Sequence, residues 1–170
     1  MKKSILLLIL LGSITIINAQ VDPNLYYDIR LKKQLDSTEI NYSITKSNNF
    51  KITIQTEDSI EERTQIVIIN SQTEKVANFE IREIGSIGLK LKKSNYNPEL
   101  LYQLLNRNRQ RKIGAWEIAE YSSEPDYFYL RHVIKISVNI SPSDLIGLVH
   151  TVAFESDRIE KELGDGSDEY

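Results

Sequence analysis

Three times along the chain, a residue whose side chain can cap a helix stands directly before a proline. Such a pair is typical of a helix start, because proline has no N–H to leave unpaired in the first turn and its fixed φ suits the helix. These pairs divide the sequence into helical and extended parts, and this division constrains the fold more than any other feature. The pairs lie at residues 22–23, 97–98 and 141–142.

Apolar residues recur at helical spacing after each pair. The first pair predicts a short helix over about residues 23–35, and the second predicts an amphipathic helix that ends near residues 106–108. The third predicts the longest helix, with Asp144 where a capping box requires an acid and Gly164 as the stop. One face of this helix carries Leu145, Val149, Val152, Ser156, Ile159 and Leu163.

Between the first two predicted helices, apolar residues alternate with polar ones, which indicates strands. Residues 40–44 and 50–54 alternate on either side of a polar turn at 46–49. The compact apolar run 66–69 is typical of a central strand. A second polar turn is predicted at 71–75, and alternation resumes after it at Phe79 and Ile81.

Two further strands are predicted after the second helix, at residues 113–121 and 127–140. The longer one has apolar side chains on one face and mostly polar ones on the other. The two rows are Phe128, Leu130, Ile134, Ile136 and Val138 on the inward face, and Tyr129, Arg131, Lys135 and Asn139 on the outward face.

Strands that cluster between helices, rather than alternating singly with them, favour an α+β fold. We therefore predict an antiparallel sheet packed with helices on one face, in the order α-β-β-β(-β)-α-β-β-α. It forms a single domain over residues 20–164. The acidic residues 57–62 are interpreted as a solvated connection, and residues 165–170 as a short acidic tail.

The start of the chain has the anatomy of a secretory signal peptide. Lys2 and Lys3 precede an unbroken apolar run at 5–11, and a small residue marks a cleavage point near Ala19–Gln20. The apolar stretch is short and interrupted, whereas a spanning helix needs about 20 apolar residues. We therefore expect a signal peptide at residues 1–19, a periplasmic or secreted mature chain, and no stable membrane span after cleavage.

Composition excludes several function classes. The chain has no cysteine, which removes disulfides, thiol nucleophiles and thiolate zinc sites. Its net charge of -3 becomes about −5 once Lys2 and Lys3 are removed with the leader. This balance argues against nonspecific binding to nucleic acid or to anionic lipid.

Few residues could carry catalytic chemistry. His132 and His150 are the only histidines, and no HExxH-like spacing surrounds them. His132 lies on the inward row of its strand, which favours a core histidine with one satisfied hydrogen bond over a general base. His150 is expected to be a partly exposed helical residue, and Gly85–Gly88 indicates a turn rather than a phosphate-binding loop. We expect no catalytic, cofactor-binding or metal-binding residue.

A basic cluster is the first candidate for an interaction surface. It comprises Arg107, Arg109, Arg111 and Lys112, and it follows a helix C-terminus, where solvated cations complement the helix dipole. The alternative is that the cluster docks an acidic segment, such as the tail 165–170 of the same or another protomer.

A group of tyrosines is the second candidate. Tyr121, Tyr127 and Tyr129 surround a predicted turn at 122–126. Tyrosines are common in recognition surfaces, because they offer rigid area with a polar tip, and they are equally common on the solvated face of a hairpin. Both interpretations stay open at this point.

Three stretches of the chain resemble members of the YbjN-like family. They are LLYQLLNRN at 100–108, GAWEI at 114–118, and the last helix from its SPSDL start at 141–145 to SDRI at 156–159. YbjN-like proteins share the fold of type III secretion chaperones, so the resemblance implies that scaffold, with its dimer-forming and segment-binding surfaces, and it implies no catalytic residues. Secretion chaperones of this fold work in the cytosol, whereas the predicted leader implies a different pathway here.

These expectations combine into a non-enzymatic, exported, chaperone-like domain. It is expected to need no cofactor and to bind a protein segment, or a second copy of itself as a homodimer. The alternative is a small extracytoplasmic ligand-binding protein or enzyme with a pocket near His132 and Trp116.

Overall fold

The computed structural model describes residues 26–56, 63–95 and 97–164 of the chain. Some of the sequence-based predictions fall outside these residues and stay predictions. They are the signal peptide at 1–19, the cap-and-proline pair at 22–23, the acidic connection at 57–62 and the tail at 165–170.

The described residues form helices and strands in nearly the predicted order. In chain order they are α1 (Ile29–Asp36), β1 (Tyr42–Ile44), β2 (Phe50–Gln55), β3 (Thr64–Ile69), β4 (Glu74–Val76), β5 (Phe79–Lys92), a short 3-10 turn (Lys93–Asn95), α2 (Pro98–Gln110), β6 (Ala115–Ala119), β7 (Tyr127–Ser137) and α3 (Pro142–Leu163).

Within the described residues, one antiparallel sheet of seven strands supports three helices. Its strands lie in the order β1-β2-β3-β5-β7-β6, and β4 pairs with β5 beside this path. The predicted α+β class with an antiparallel sheet is therefore confirmed. The apolar run 66–69 lies in β3, which is an interior strand as predicted, whereas β6 lies at an edge of the sheet.

All three helices pack on the same face of the sheet. α1 and the first half of α3 cover one apolar cluster, in which Phe50, Ile84 and Ile134 are fully or almost fully buried. α2 and the end of α3 cover a second cluster at the β6 end of the sheet. This second cluster consists of Leu89, Leu104, Trp116, Phe128, Leu130 and Ile159.

The caps of α2 and α3 follow the sequence. Asn97 Oδ1 accepts the N–H of Glu99 at 3.0 Å, and Ser141 Oγ accepts the N–H of Asp144 at 3.1 Å. Gly164 ends α3 as predicted. These side chains satisfy N–H groups that the first turn leaves without intrahelical partners, which is why both helices begin where the sequence indicates.

The helix predicted over residues 23–35 is wrong at residues 26–28, which are not helical. The helix begins at Ile29, and its N-cap is Asp28, whose Oδ1 accepts the N–H of Arg30 at 2.8 Å. Asp28 is buried, and its Oδ2 also accepts a hydrogen bond from Arg82 Nη2 at 2.6 Å. A carboxylate with these partners is held in place as a cap, so the helix cannot extend backward through it.

The turn predicted at Gly85–Gly88 is also wrong, because β5 runs straight through it. A Cβ on Gly85 would lie 2.8 Å from Arg131 Nη2, and a Cβ on Gly88 would lie 2.8 Å from the Trp116 ring. The pairing of β5 with β7 shifts register between Ile87 and Leu89. Both glycines therefore allow close approach within a strand, as glycine does at bulges.

The predicted turn at 71–75 is partly wrong. Glu74 and Lys75 belong to β4, which folds back on the start of β5. The reversal comes later, at Ala77, whose φ of 53° is in the left-handed region. The polar composition of the stretch reflects a short, fully exposed strand rather than a turn.

A buried charged cluster joins β3 to α3. Arg63 Nε donates to Asp157 Oδ1 at 2.8 Å, and Arg63 Nη2 donates to Glu160 Oε2 at 3.0 Å. Gln65 Nε2 donates to the same Glu160 oxygen at 2.7 Å, and Ser86 Oγ donates to Gln65 Oε1 at 3.0 Å. These ion pairs and hydrogen bonds hold α3 over the centre of the sheet.

Candidate functional site

An apolar groove lies between α2 and the edge strand β6. Its volume is about 250 Å³. The floor consists of Leu104, Trp116 and Leu130, which are all at least nine-tenths buried. The walls are formed by Leu101, Leu105 and Asn108 from α2 and by Glu117 and Ile118 from β6.

The upper walls of this groove are exposed apolar side chains. Leu105 is 66% exposed and Ile118 is 51% exposed. Tyr102, which is 61% exposed, extends the same surface along α2. A contiguous exposed apolar patch with a groove is typical of a site that binds another molecule, whereas single exposed apolar residues are not.

The outer backbone edge of β6 is hydrogen-bonded at Trp116 and open two residues later, at Ile118. Asn108 Oδ1 accepts the N–H of Trp116 at 2.7 Å, and Asn108 Nδ2 donates to the Trp116 carbonyl at 3.0 Å. Alternate residues of a strand point their backbone groups to the same side, so the N–H and C=O of Ile118 face the same edge. Among the described residues, no hydrogen bond reaches Ile118 from that side.

We expect Asn108→Ala to lower the free energy of unfolding by about 1–2 kcal/mol. It removes two hydrogen bonds, and each contributes roughly 0.5–1.5 kcal/mol net. Urea unfolding with a shared m-value measures the change. Asn106→Ala is the matched control, because Asn106 is an exposed residue of the same helix and should change stability by less than about 0.5 kcal/mol. Equal losses in both variants would contradict the role given to Asn108.

The structure places the basic cluster at the end of α2 and partly pairs it with α3. Arg107 Nη2 lies 2.6 Å from Glu162 Oε2, and Arg111 forms an ion pair with Glu155. Arg109 and Lys112 are exposed, and no ion pair of either is found within the described part of the chain. The acidic partners of Arg107 and Arg111 therefore include helix α3 of the same chain.

The tyrosines lie on the other face of the sheet. Tyr129 is only 6% exposed, and its ring centroid is 4.9 Å from that of Tyr121. Tyr127 is half-buried, with Lys90 Nζ 4.4 Å from its ring centroid. Tyr121 also lines a shallow depression of about 460 Å³ on the sheet face opposite the helices. The structure therefore does not join the tyrosines and the basic cluster into one surface.

His132 is fully buried behind the floor of the groove. Its ring centroid is 5.3 Å from that of Trp116, so the two residues are in contact. The inward orientation predicted for His132 is confirmed, but the expected hydrogen bond is wrong. Neither ring nitrogen has a partner within the described residues. The groove that Trp116 lines does not have His132 among its walls.

Burial, with a smaller contribution from the positive charge of Arg111 and against an opposing effect of Glu155, lowers the pKa of His132 to about 4. His132 is therefore neutral near neutral pH. His150 is exposed on α3 and stacks on Phe154. The described residues contain no group of three His, Cys, Asp or Glu side chains placed to hold a metal ion.

Asn108 and Ile118 are not among the site residues predicted from the sequence. Leu101, Leu105 and Asn108 share one helical face, and this spacing is the available signal. Such spacing by itself indicates a core-facing stripe, and only the packing of α2 shows that Leu105 projects beyond the edge of the sheet. No helix in the described part of the chain is both long and apolar enough to cross a membrane.

Comparison of the chain with protein-family models, with curated proteins and with solved structures finds no match.

Proposed function

We propose that this protein is a non-enzymatic binding domain that holds an extended segment of another protein in the groove between α2 and β6. The observation that carries the proposal is the open backbone edge at Ile118, which lies directly beside exposed apolar walls. A segment that adds as a strand pairs with that edge and places alternate side chains in the groove.

The energetics favour a short segment with one or two apolar anchors. Burying an exposed leucine or isoleucine side chain contributes roughly 1.5–3 kcal/mol. Leu105 and Ile118 are 66% and 51% exposed, so each offers part of such a gain, and the segment's own anchor adds to it. Strand pairing itself is short, because the amide of Asn108 already occupies the edge at Trp116.

The charges around the groove indicate what flanks the anchor. Arg109 lies one helical turn after Leu105, and Lys112 follows the end of α2, both exposed. Carboxylates in the bound segment complement these cations and speed its association. The proposed occupant is therefore an extended protein segment in which apolar residues alternate with acidic ones.

The resemblance to YbjN-like proteins and to type III secretion chaperones supports a segment-binding scaffold. The predicted leader at 1–19 supports export, so the segment belongs to a periplasmic or secreted protein. Export also separates this protein from the cytosolic handover that chaperones of this fold perform. We thus propose that this protein has the segment-binding scaffold of those chaperones but binds a different protein.

Fluorescence anisotropy with a labelled peptide of about ten residues tests the proposal. The peptide alternates valine with aspartate, and a scrambled peptide of identical composition is its control. Leu105→Glu should weaken binding of the alternating peptide by about tenfold or more, because a carboxylate replaces an apolar wall and repels the aspartates of the peptide. Phe79→Glu is the matched control, since Phe79 is 68% exposed on the β4–β5 hairpin.

Two variants at Ile118 separate strand pairing from apolar contact. Ile118→Pro removes the N–H at the open edge, where proline is tolerated, and should abolish binding. Ile118→Val keeps both the N–H and the apolar wall, and should retain binding within about twofold. Equal binding of the scrambled peptide would contradict the proposal. A dimer in sedimentation that Ile118→Pro dissociates would make a second copy the occupant instead.

A further inference from the structure

His132 connects the groove to the charged surface between α2 and α3. Trp116 separates the His132 ring from the groove, and the Arg111 guanidinium carbon lies 5.9 Å from the centroid of the Trp116 ring. Gly114 packs so closely that a Cβ on it would lie 2.7 Å from His132 Nε2. No space is left on this side for the ring to move when it gains a proton.

The groups around His132 differ in charge, and together they stabilise an imidazolium poorly. Ser86 of β5 is its register neighbour and is uncharged, and Trp116 of β6 contributes only a ring. Arg111 comes from the end of α2, and Glu155 and Arg158 come from α3. Glu155 is the one carboxylate among them, and it already binds both arginines.

We propose that protonation of His132 releases the occupant of the groove by detaching the end of α2. An imidazolium at this position repels Arg111 and competes with it for Glu155. Arg111 is the C-cap residue of α2. Loss of its ion pair with Glu155 therefore loosens the helix that carries Leu101 and Leu105. This inference rests on the proposed function, because it names the regulation of the same groove.

The remaining attachments of α2 explain why the release is local. Arg107 still pairs with Glu162, because its long side chain can follow a tilt of the helix. The two hydrogen bonds between the Asn108 amide and the Trp116 backbone act as the pivot, because they join α2 to the strand that contacts His132. The wall of the groove therefore moves relative to its floor while the sheet stays folded.

The pH range follows from the shift in the pKa of His132 to about 4. A basic group whose pKa is lowered by folding contributes stability at pH values above its unfolded-state pKa, which is about 6.5 for histidine. This contribution is lost as the pH falls through the folded-state pKa. Glu155 stays ionised over most of that range: burial raises its pKa, but hydrogen bonding to Arg111 and the nearby positive charges outweigh this and lower it. The competition for Glu155 therefore occurs in mild acid.

The composition of the chain makes the test specific. It has one tryptophan and two histidines, so Trp116 emission reports on the floor of the groove and His132 has one other histidine to be distinguished from. Free protein is titrated from about pH 7 to about pH 3, which spans the pKa of His132, while emission and acrylamide quenching are recorded. Wild type and His150→Gln should show a red shift and greater quenching, and His132→Phe should show neither.

The alternating peptide supplies the second readout. At about pH 4, where His132 is half protonated, the peptide's affinity for wild type should have fallen about twofold further than its affinity for His132→Phe, because the peptide's aspartates titrate equally in both measurements. An acid response in His132→Phe equal to that of wild type would overturn the proposal. Absence of peptide binding at about pH 7 would instead overturn the proposed function, because the emission titration needs no peptide.

A measurement on the wild-type chain covers the case in which His132→Phe does not fold. Nuclear magnetic resonance of the imidazole carbons follows the titration of His132 and His150 individually. The proposal requires the His132 midpoint to coincide with the Trp116 emission midpoint. An emission change that instead follows the carboxylates or His150 would overturn it.

Discussion

Replacing Arg63 by methionine is expected to lower the free energy of unfolding by about 3–5 kcal/mol. The Arg63 side chain is 4% exposed, and its partners Asp157 and Glu160 are 5% and 3% exposed. Methionine keeps the apolar stem but removes the guanidinium from both carboxylates, while Lys161 Nζ stays 3.0 Å from Asp157 Oδ2 and Gln65 Nε2 stays 2.7 Å from Glu160 Oε2. Removing one partner of a buried ion pair costs far more than losing a surface ion pair, so this single substitution should destabilise the fold severely.

Two controls separate this effect from a loss of packing. Combining Arg63→Met with Asp157→Asn and Glu160→Gln removes the two buried carboxylate charges as well, and should recover much of the lost stability. Arg158→Met on the exposed side of α3 should cost less than about 1 kcal/mol. Urea unfolding measures all variants. A single Arg63→Met variant as stable as wild type would show that the cluster contributes little.

Adding one methyl group at Gly88 is expected to lower the free energy of unfolding by about 2–3 kcal/mol. The new Cβ would lie 2.8 Å from the ring of Trp116 and 3.0 Å from the carbonyl oxygen of Ser156. Both neighbours are buried, and the Ser156 carbonyl belongs to the backbone of α3, so neither can retreat cheaply. Trp116 emission should change with stability, because the methyl group presses on that ring.

Gly147→Ala is the matched control for Gly88→Ala. Gly147 lies in α3, and nothing is found within 4 Å of a Cβ placed on it. Alanine is a better helix former than glycine by roughly 1 kcal/mol, so this variant should be more stable than wild type. The same chemical change is therefore expected to have opposite signs at the two sites. Equal effects would contradict the close packing of Gly88 on Trp116.

Local signals predicted most of the fold. Asn97 and Ser141 cap their helices, and their side chains bond N–H groups within the same first turn. Strand positions followed from alternation for a similar reason, because the pleat alone sets which side chains share a face. Asp28 was missed as a cap, since its place depends on Arg82, which is distant in sequence.

The candidate site was much less predictable. The exposed edge at Ile118 depends on which strand ends the sheet, and no local pattern states the order of strands. Asn108 resembles any polar residue at the end of a helix until its amide is seen against the Trp116 backbone. The missing hydrogen bonds of His132 likewise depend on Gly114, Arg111 and α3, which meet only in the folded chain.

By itself, the sequence determined the α+β class, the capped starts of α2 and α3, and the inward row of β7. These features depend on interactions between residues a few positions apart, which spacing records directly. Tertiary structure alone decided that Gly88 lies within a strand, that Arg63 meets Asp157 and Glu160, and that β6 presents an open edge beside α2. Each of these depends on contacts between distant segments, and burial and register become defined only when those segments pack together.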